Sequence, residues 1–159
     1  MIILGIDPGF SVTGYSVLQK YKNQIIMLDH GFLKMSPTQS LDVRIGIFHA
    51  LFSLKIKEYA ITIIALETPF LGKNAQTFLK LGYLRGILYL LANQNNLIIS
   101  EFAPRQIKQT VTGYGAASKE QLANVLTMLF PLIPKPLKED VTDAIAISLC
   151  ALWQKENSK

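Results

Sequence analysis

Four carboxylates in this sequence stand where carboxylates need an explanation. Asp7 closes the apolar run Ile2-Ile3-Leu4-Gly5-Ile6 just before Pro8-Gly9, and Glu67 closes Ile61 to Leu66 just before Thr68-Pro69. A carboxylate ending an apolar strand is costly to shelter unless something binds it. If the two runs are adjacent parallel strands, their carboxylates emerge side by side at a sheet edge, where α/β proteins commonly bind ligands. Asp140 and Asp143, three residues apart at the start of a helical stretch, share a face near the positive end of the helix dipole. Crowded carboxylates repel unless protons or cations intervene, and an all-oxygen set suits Mg²⁺ or Mn²⁺ better than zinc. Two such ions about 4 Å apart can activate a water and steady the departing oxygen during in-line attack on a phosphodiester. Asp7, Glu67, Asp140 and Asp143 are therefore candidate metal ligands and catalytic acids. A blander reading stays open from the residues alone: an acid before Pro-Gly can shape a turn, and acids in a first helical turn can be capping residues.

The elements that must position these acids follow from periodicity. Ile2 to Asp7 reads as a buried strand ending in a sharp turn, and Val12 to Leu18 and Gln24 to Met35 as hairpin neighbours around the polar Gln19 to Asn23. Leu41 to Tyr59 has helical spacing, with Val43, Ile47, Leu51 and Leu54 as its expected apolar stripe. Ile61 to Glu67 is a strand apolar on both faces. Asn74 to about Asn93 is a helix bearing Phe78, Leu81, Leu84, Leu88 and Leu91, with Gly82 and Gly86 allowing close packing. Leu97 to Phe102 is a fifth strand, and Pro104 opens a short basic helix broken by Gly113-Tyr114-Gly115. Ser118 and Gln121 have capping-box spacing ahead of a helix with Leu122, Val125, Leu126 and Leu129; a final helix runs from near Glu139 to about Trp153. Strands interleaved with helices in this order predict an α/β fold with a five-stranded mixed sheet flanked by helices, one domain spanning residues 1–159.

Bulk properties narrow the classes. Half the 159 residues are hydrophobic and 17% are charged, which excludes a disordered chain. Lys and Arg number 16 against 11 for Asp and Glu, and the +5 balance favours a polyanionic partner. The single cysteine, Cys150, lies in an apolar run and reads as a buried thiol in a reducing compartment. No apolar run reaches the roughly 18 residues needed to span a bilayer, and the first residues lack a basic, signal-like start. The expectation is a cytoplasmic protein with no membrane partner.

Several motifs form a set. Ile6-Asp7-Pro8-Gly9 with Thr13-Gly14-Tyr15, Ala65-Leu66-Glu67 followed by Lys73-Asn74-Ala75, Leu79-Lys80-Leu81-Gly82 with Arg85-Gly86, Arg105 to Val111, and Asp140-Val141-Thr142-Asp143-Ala144 occur in order along nearly the whole chain. Together they resemble the RuvC family of crossover junction endodeoxyribonucleases. That resemblance implies an RNase H-like fold and a homodimer that binds a four-way (Holliday) DNA junction and nicks two opposed strands symmetrically. It implies a Mg²⁺ requirement, with Mn²⁺ as a substitute and two ions per active site, and RuvA and RuvB as branch-migration partners. Carried over by position, Asp7, Glu67, Asp140 and Asp143 match the catalytic acids, with Asp143 either a ligand or a supporting base. Lys108 and Lys119 match lysines near the DNA backbone, Phe70 an aromatic used against opened bases, and Lys73 is a lesser DNA-binding candidate. By residue type alone, the lysines could equally be solvated and Phe70 a core or dimer-interface residue. Phe10 and Ser16 stand where smaller residues are frequent, and Thr68-Pro69 follows the glutamate, which puts the family's preference for cutting near thymines in question.

Three other readings compete. Gly5-Ile6-Asp7-Pro8-Gly9 with Thr13-Gly14 also resembles the first phosphate loop of actin-like ATPases and sugar kinases, but the chain has no later glycine-rich adenosine loop and no length for a second domain. The same fold could act on structured RNA, or bind a junction without cutting it. Metal dependence separates the last of these.

Overall fold

The computed structural model describes residues 1–22, 24–69, 75–133 and 137–154. Its strands are β1 (Ile2–Asp7), β2 (Val12–Tyr21), β3 (Gln24–Lys34), β4 (Ile63–Glu67) and β5 (Ile98–Phe102). Its helices are α1 (Leu41–Glu58), α2 (Ala75–Gln94), α3 (Pro104–Thr112), α4 (Lys119–Leu129) and α5 (Glu139–Gln154). The strands form one mixed sheet in the order β3-β2-β1-β4-β5. β1 pairs antiparallel with β2 and parallel with β4, and β5 continues the parallel half beside β4. The two chemistry-bearing runs are thus adjacent and parallel, as their sequence suggested.

Alternation along the central strands explains why both read as continuous apolar runs. Ile3, Ile63 and Ala65 enter a core completed by α3, α4 and α5, while Leu4, Ile6, Ile64 and Leu66 enter a second core completed by α1 and α2. Successive side chains point to opposite faces, so a strand covered on both sides has no polar side to show.

Some expectations shift. β2 extends through Gln19 to Tyr21, because Tyr21 still pairs with Gln24 and the hairpin satisfies its backbone; polarity there marks a protruding hairpin end, not a loop. On α1 the buried stripe is Arg44, Phe48, Phe52 and Ile56, whereas Val43 and Leu54 are exposed and Ile47 and Leu51 only partly covered. The helix is apolar around most of its girth, so spacing alone could not select the inward side; the phenylalanines fill it, with Phe52 edge-on to Tyr15. On α2, Leu84, Leu88 and Leu91 are buried as expected. Gly82 and Gly86 leave open space on α2: among the described residues a Cβ at either would meet nothing within 4 Å. Cys150 is fully buried, and the Ser118–Gln121 capping box is formed. Among the described residues no helix is long and apolar enough to cross a membrane.

Helix α5 lies directly against the sheet. Every residue of α5 from Ala144 to Leu152 is buried, and the helix crosses β1 and β2 where side chains are absent or small. A Cβ on Gly5 would lie 2.1 Å from Ser148 Oγ and 2.5 Å from the Ala144 carbonyl oxygen; one on Gly14 would lie 2.0 Å from the Asp140 carbonyl oxygen. Ser16, the cross-strand partner of Gly5, donates to the Ala144 carbonyl at 3.0 Å and shares a 2.6 Å hydrogen bond with Ser148. Two buried hydroxyls thereby satisfy each other at the helix–sheet seam.

This contact predicts opposite signs for two substitutions. Gly5→Ala must push α5 off the sheet and should cost about 1–3 kcal/mol in urea unfolding, the usual penalty of overpacking. Gly46→Ala, on α1 with open space around it, should gain roughly 0.5–1 kcal/mol. Equal midpoints for the two variants would mean that α5 does not rest on β1.

Candidate active site

Asp7 and Glu67 sit at the ends of β1 and β4, one step past the paired residues Ile6 and Leu66, so their carboxylates leave the sheet at the same level. Asp140 and Asp143 come from the first turns of α5. Gly14 delivers them: it is the cross-strand partner of Asp7 and lies directly against the Asp140 backbone. Backbone without a side chain at position 14 is what lets the helix start this close to the strand end.

The four acids feel one another. The Asp7 carboxyl is pushed up to about 7, first by burial and then by the charges of Asp143, Asp140 and Glu67, with Lys119 pulling the other way. Glu67 is raised by burial and by Asp143, against Lys108, Lys119 and Arg85. Asp143 is raised by burial and by Asp140, against Lys119 and Lys108. The site is thus a sheltered cluster of like charges, with two lysines supplying part of the compensation.

Lys108 lies on α3 and Lys119 opens α4. Gly113, at φ 78°, closes α3 in the left-handed conformation that suits glycine, and the Gln109 side chain bonds both the Gly113 carbonyl (2.7 Å) and the Gly115 N–H (2.9 Å). That short clamp brings the start of α4 back toward α3, so both lysines reach the acids. Lys119 also pairs with Glu139. Phe70 and Lys73 lie outside the described residues.

Sequence reasoning missed Arg85 as a site-building residue. It is buried, donates to the Glu67 carbonyl at 2.8 Å and pairs with Glu101 on β5, which also accepts from Tyr89. Arg85 therefore holds the end of β4 in place. Its position was a usable signal, since it falls inside the buried stripe of α2 between Leu84 and Leu88.

A divalent cation fits this donor set in chemistry. Every ligand candidate is a carboxylate oxygen, and burial together with the neighbouring acids raises Asp7, a penalty that a bound hard cation would relieve. Among the described residues, no three acidic, histidine or cysteine side chains are already drawn in tightly enough to hold an ion.

Comparisons with known proteins bear on the family and the fold. A family model described as crossover junction endodeoxyribonuclease RuvC matches residues 3–151. A protein of that description from Pelodictyon phaeoclathratiforme is 43% identical over 152 residues, 96% of this chain and 80% of its own length. One from Desulforamulus reducens is 40% identical over 157 residues, covering 96% of this chain and 94% of its own. Among solved structures, Thermus thermophilus RuvC in complex with Holliday junction substrate superposes with a TM-score of 0.90 at 26% identity, covering 99% of this chain and 97% of that one. The yeast mitochondrial Holliday junction resolvase Ydc2, at 14% identity and a TM-score of 0.70 over 98% of this chain and 81% of that one, shares the fold. The five-stranded mixed sheet with flanking helices is accordingly the RNase H-like arrangement expected. A match of this length, at these identities and on this fold, means that the chain belongs to the RuvC family of crossover junction endodeoxyribonucleases.

Proposed function

We propose that this chain resolves four-way (Holliday) DNA junctions by nicking two opposed strands symmetrically in a Mg²⁺-dependent reaction, with Asp7, Glu67, Asp140 and Asp143 as its catalytic acids. The observation that carries the reading is the electrostatic convergence of acids from β1, β4 and α5 at one sheet edge, with Lys108 and Lys119 facing them. Family membership and the junction-bound relative support the substrate.

In this reading the carboxylates would hold two Mg²⁺ ions, with Mn²⁺ as a substitute, and such ions, when bound, supply Lewis acidity and an activated water for attack on the phosphodiester. The protein's own groups do the rest. Asp7, central to the mutual repulsion, gives up its proton as positive charge arrives. Asp140 and Asp143 are steadied by the positive end of α5. Lys108 and Lys119 attract the phosphate backbone and fix its register without reading sequence. Phe70 and Lys73 remain candidates for contact with the opened junction.

The reading also carries one nuclease domain over residues 1–159, a cytoplasmic setting, RuvA and RuvB as partners, and a homodimer. Support for the dimer comes from α2, where exposed Leu79 and Leu90 line up with Gly82 and Gly86, leaving an apolar, low-relief stripe suited to a second helix. Two copies would give the paired sites that symmetric nicking needs.

Asp7→Asn should keep junction binding and slow nicking by about 10²–10⁴-fold, read on a synthetic four-way junction with Mg²⁺, with EDTA and linear duplex as controls. Retained nicking would remove Asp7 from the mechanism, and cutting of the junction in EDTA would remove the metal.

A second expectation concerns pH. The folded-state pKa of Asp7, about 7, lies above its ordinary 3.8, so the native state holds this proton longer than the unfolded chain does. Its contribution to stability is full at low pH and is lost as pH rises through about 7. Metal-free protein unfolded with urea should therefore weaken between about pH 4 and 7, and Asp7→Asn should flatten that slope. Protons and Mg²⁺ compete for the same oxygens, so apparent Mg²⁺ affinity should rise over the same range. An unchanged slope in the variant would mean that Asp7 is not the strained group.

A further inference from the structure

Beside the acid cluster lies a cavity of about 560 Å³ whose walls include Gly9, Phe10, Ser11, Arg44, Lys80 and Asp140. Phe10 lies in the turn that follows Asp7, Arg44 in the first turns of α1, and Lys80 on α2. The Arg44 guanidinium stacks on the Phe10 ring at 3.8 Å and donates to the Phe10 carbonyl, and the Lys80 ammonium stands 5.9 Å from the same ring.

Arg44 is the anomaly. It is 8% exposed, its Nε has no hydrogen-bond partner, and no carboxylate pairs with it among the described residues. A buried cation without a counter-charge is expensive, and a cation–π contact recovers only part of the cost. Arg85, the corresponding buried arginine of α2, is neutralised by Glu101. Among the described residues Arg44 has no such partner, and it lines the cavity.

We propose that this cavity is a phosphate subsite for the DNA strand that passes through the active site, with Arg44 and Lys80 as its cations and the Phe10 ring as the support that holds them. The inference rests on the reading of this chain as a junction nuclease. Asp140 belongs both to the acid cluster and to the cavity wall, so a strand whose scissile phosphate lies at the acids has a neighbouring phosphate within reach of the cavity. Phosphate matches the chemistry: it brings the missing negative charge, and its oxygens accept from both guanidinium and ammonium. A contact of this kind positions the strand and carries no base preference.

The test uses full-length protein and a four-way junction in EDTA, where binding is read without cutting. Because Arg44 is buried and its loss can unfold α1, the exposed Lys80→Gln carries the test, with Arg44→Lys as the charge-conserving companion. Lys80→Gln should weaken binding about 10-fold and lower the salt dependence of log affinity by about one unit, while Arg44→Lys should bind more tightly than Arg44→Gln wherever both fold. Backbone phosphates around the cut position are then replaced singly by uncharged methylphosphonates. One replacement should weaken wild-type binding and leave Lys80→Gln unaffected, an outcome that a purely structural lysine would not produce. A wild-type protein that binds the junction, with a Lys80→Gln variant of identical affinity, salt slope and methylphosphonate profile, overturns the subsite and leaves the nuclease reading standing. A wild-type protein that binds no junction overturns both.

Discussion

The active site depends on how closely α5 can lie on the sheet. Strand ends alone supply Asp7 and Glu67, and the proposed two-ion site calls for more carboxylates than these two. The remaining acids arrive on a helix whose start must approach the backbone of β2, and whose next turns must cross β1. Gly14 and Gly5 give that room, and the Ser16–Ser148 hydrogen bond fixes the helix's position along the strands. Few other residues would serve at positions 5 and 14, where the neighbouring atoms are helix backbone and cannot be repacked. Ser16 is small enough to fit the same seam and polar enough to hold it.

This geometry forces an electrostatic compromise. Concentrating Asp7, Glu67 and Asp143 beside Asp140 works against folding, because desolvation and repulsion push the first three toward their protonated forms. The molecule offsets part of the strain from outside the cluster. Lys108 and Lys119 face the acids from α3 and α4, held there by the short Gln109 clamp around Gly113, and the first turns of α5 add the helix dipole. In the proposed reading, what remains uncompensated would favour cation binding, so strain in the metal-free protein and affinity for metal would be two aspects of one arrangement.

Most of this architecture was legible from residue pattern because strands and acids carry local signals. A carboxylate after an apolar run, repeated at Asp7 and Glu67, marks strand ends, and the parallel pairing of β1 with β4 then places them together. The capping box at Ser118 is a similarly local signature. Where the signal was not local, pattern failed. α1 is apolar nearly all round, so only packing against Tyr15 and the second core decides that Phe48 and Phe52 turn inward. Gly82 and Gly86 mark a place where close packing is possible, but a glycine's spacing does not say against what, and no other described part of the chain approaches them. Arg44 and Arg85 look like ordinary polar positions until each is seen to occupy a buried helical stripe.

Those two arginines show how the site is braced against its own repulsion. Each lies on a helix of the opposite face from α5 and donates to a main-chain carbonyl at or just past the end of an acid-bearing strand: Arg85 to Glu67 itself, Arg44 to Phe10 in the turn after Asp7. Acids that repel would otherwise tend to spread the ends of β1 and β4, and a buried guanidinium at each end resists that movement. Their difference is as informative as their likeness. Arg85 has Glu101 as a counter-charge and is internally complete, whereas Arg44 has an aromatic ring and an open cavity. An anchor built only for rigidity gains nothing from remaining unpaired at a cavity wall. The asymmetry follows if the end of β1 faces a polyanion and the end of β4 does not, so that bracing and binding coincide at Arg44 alone.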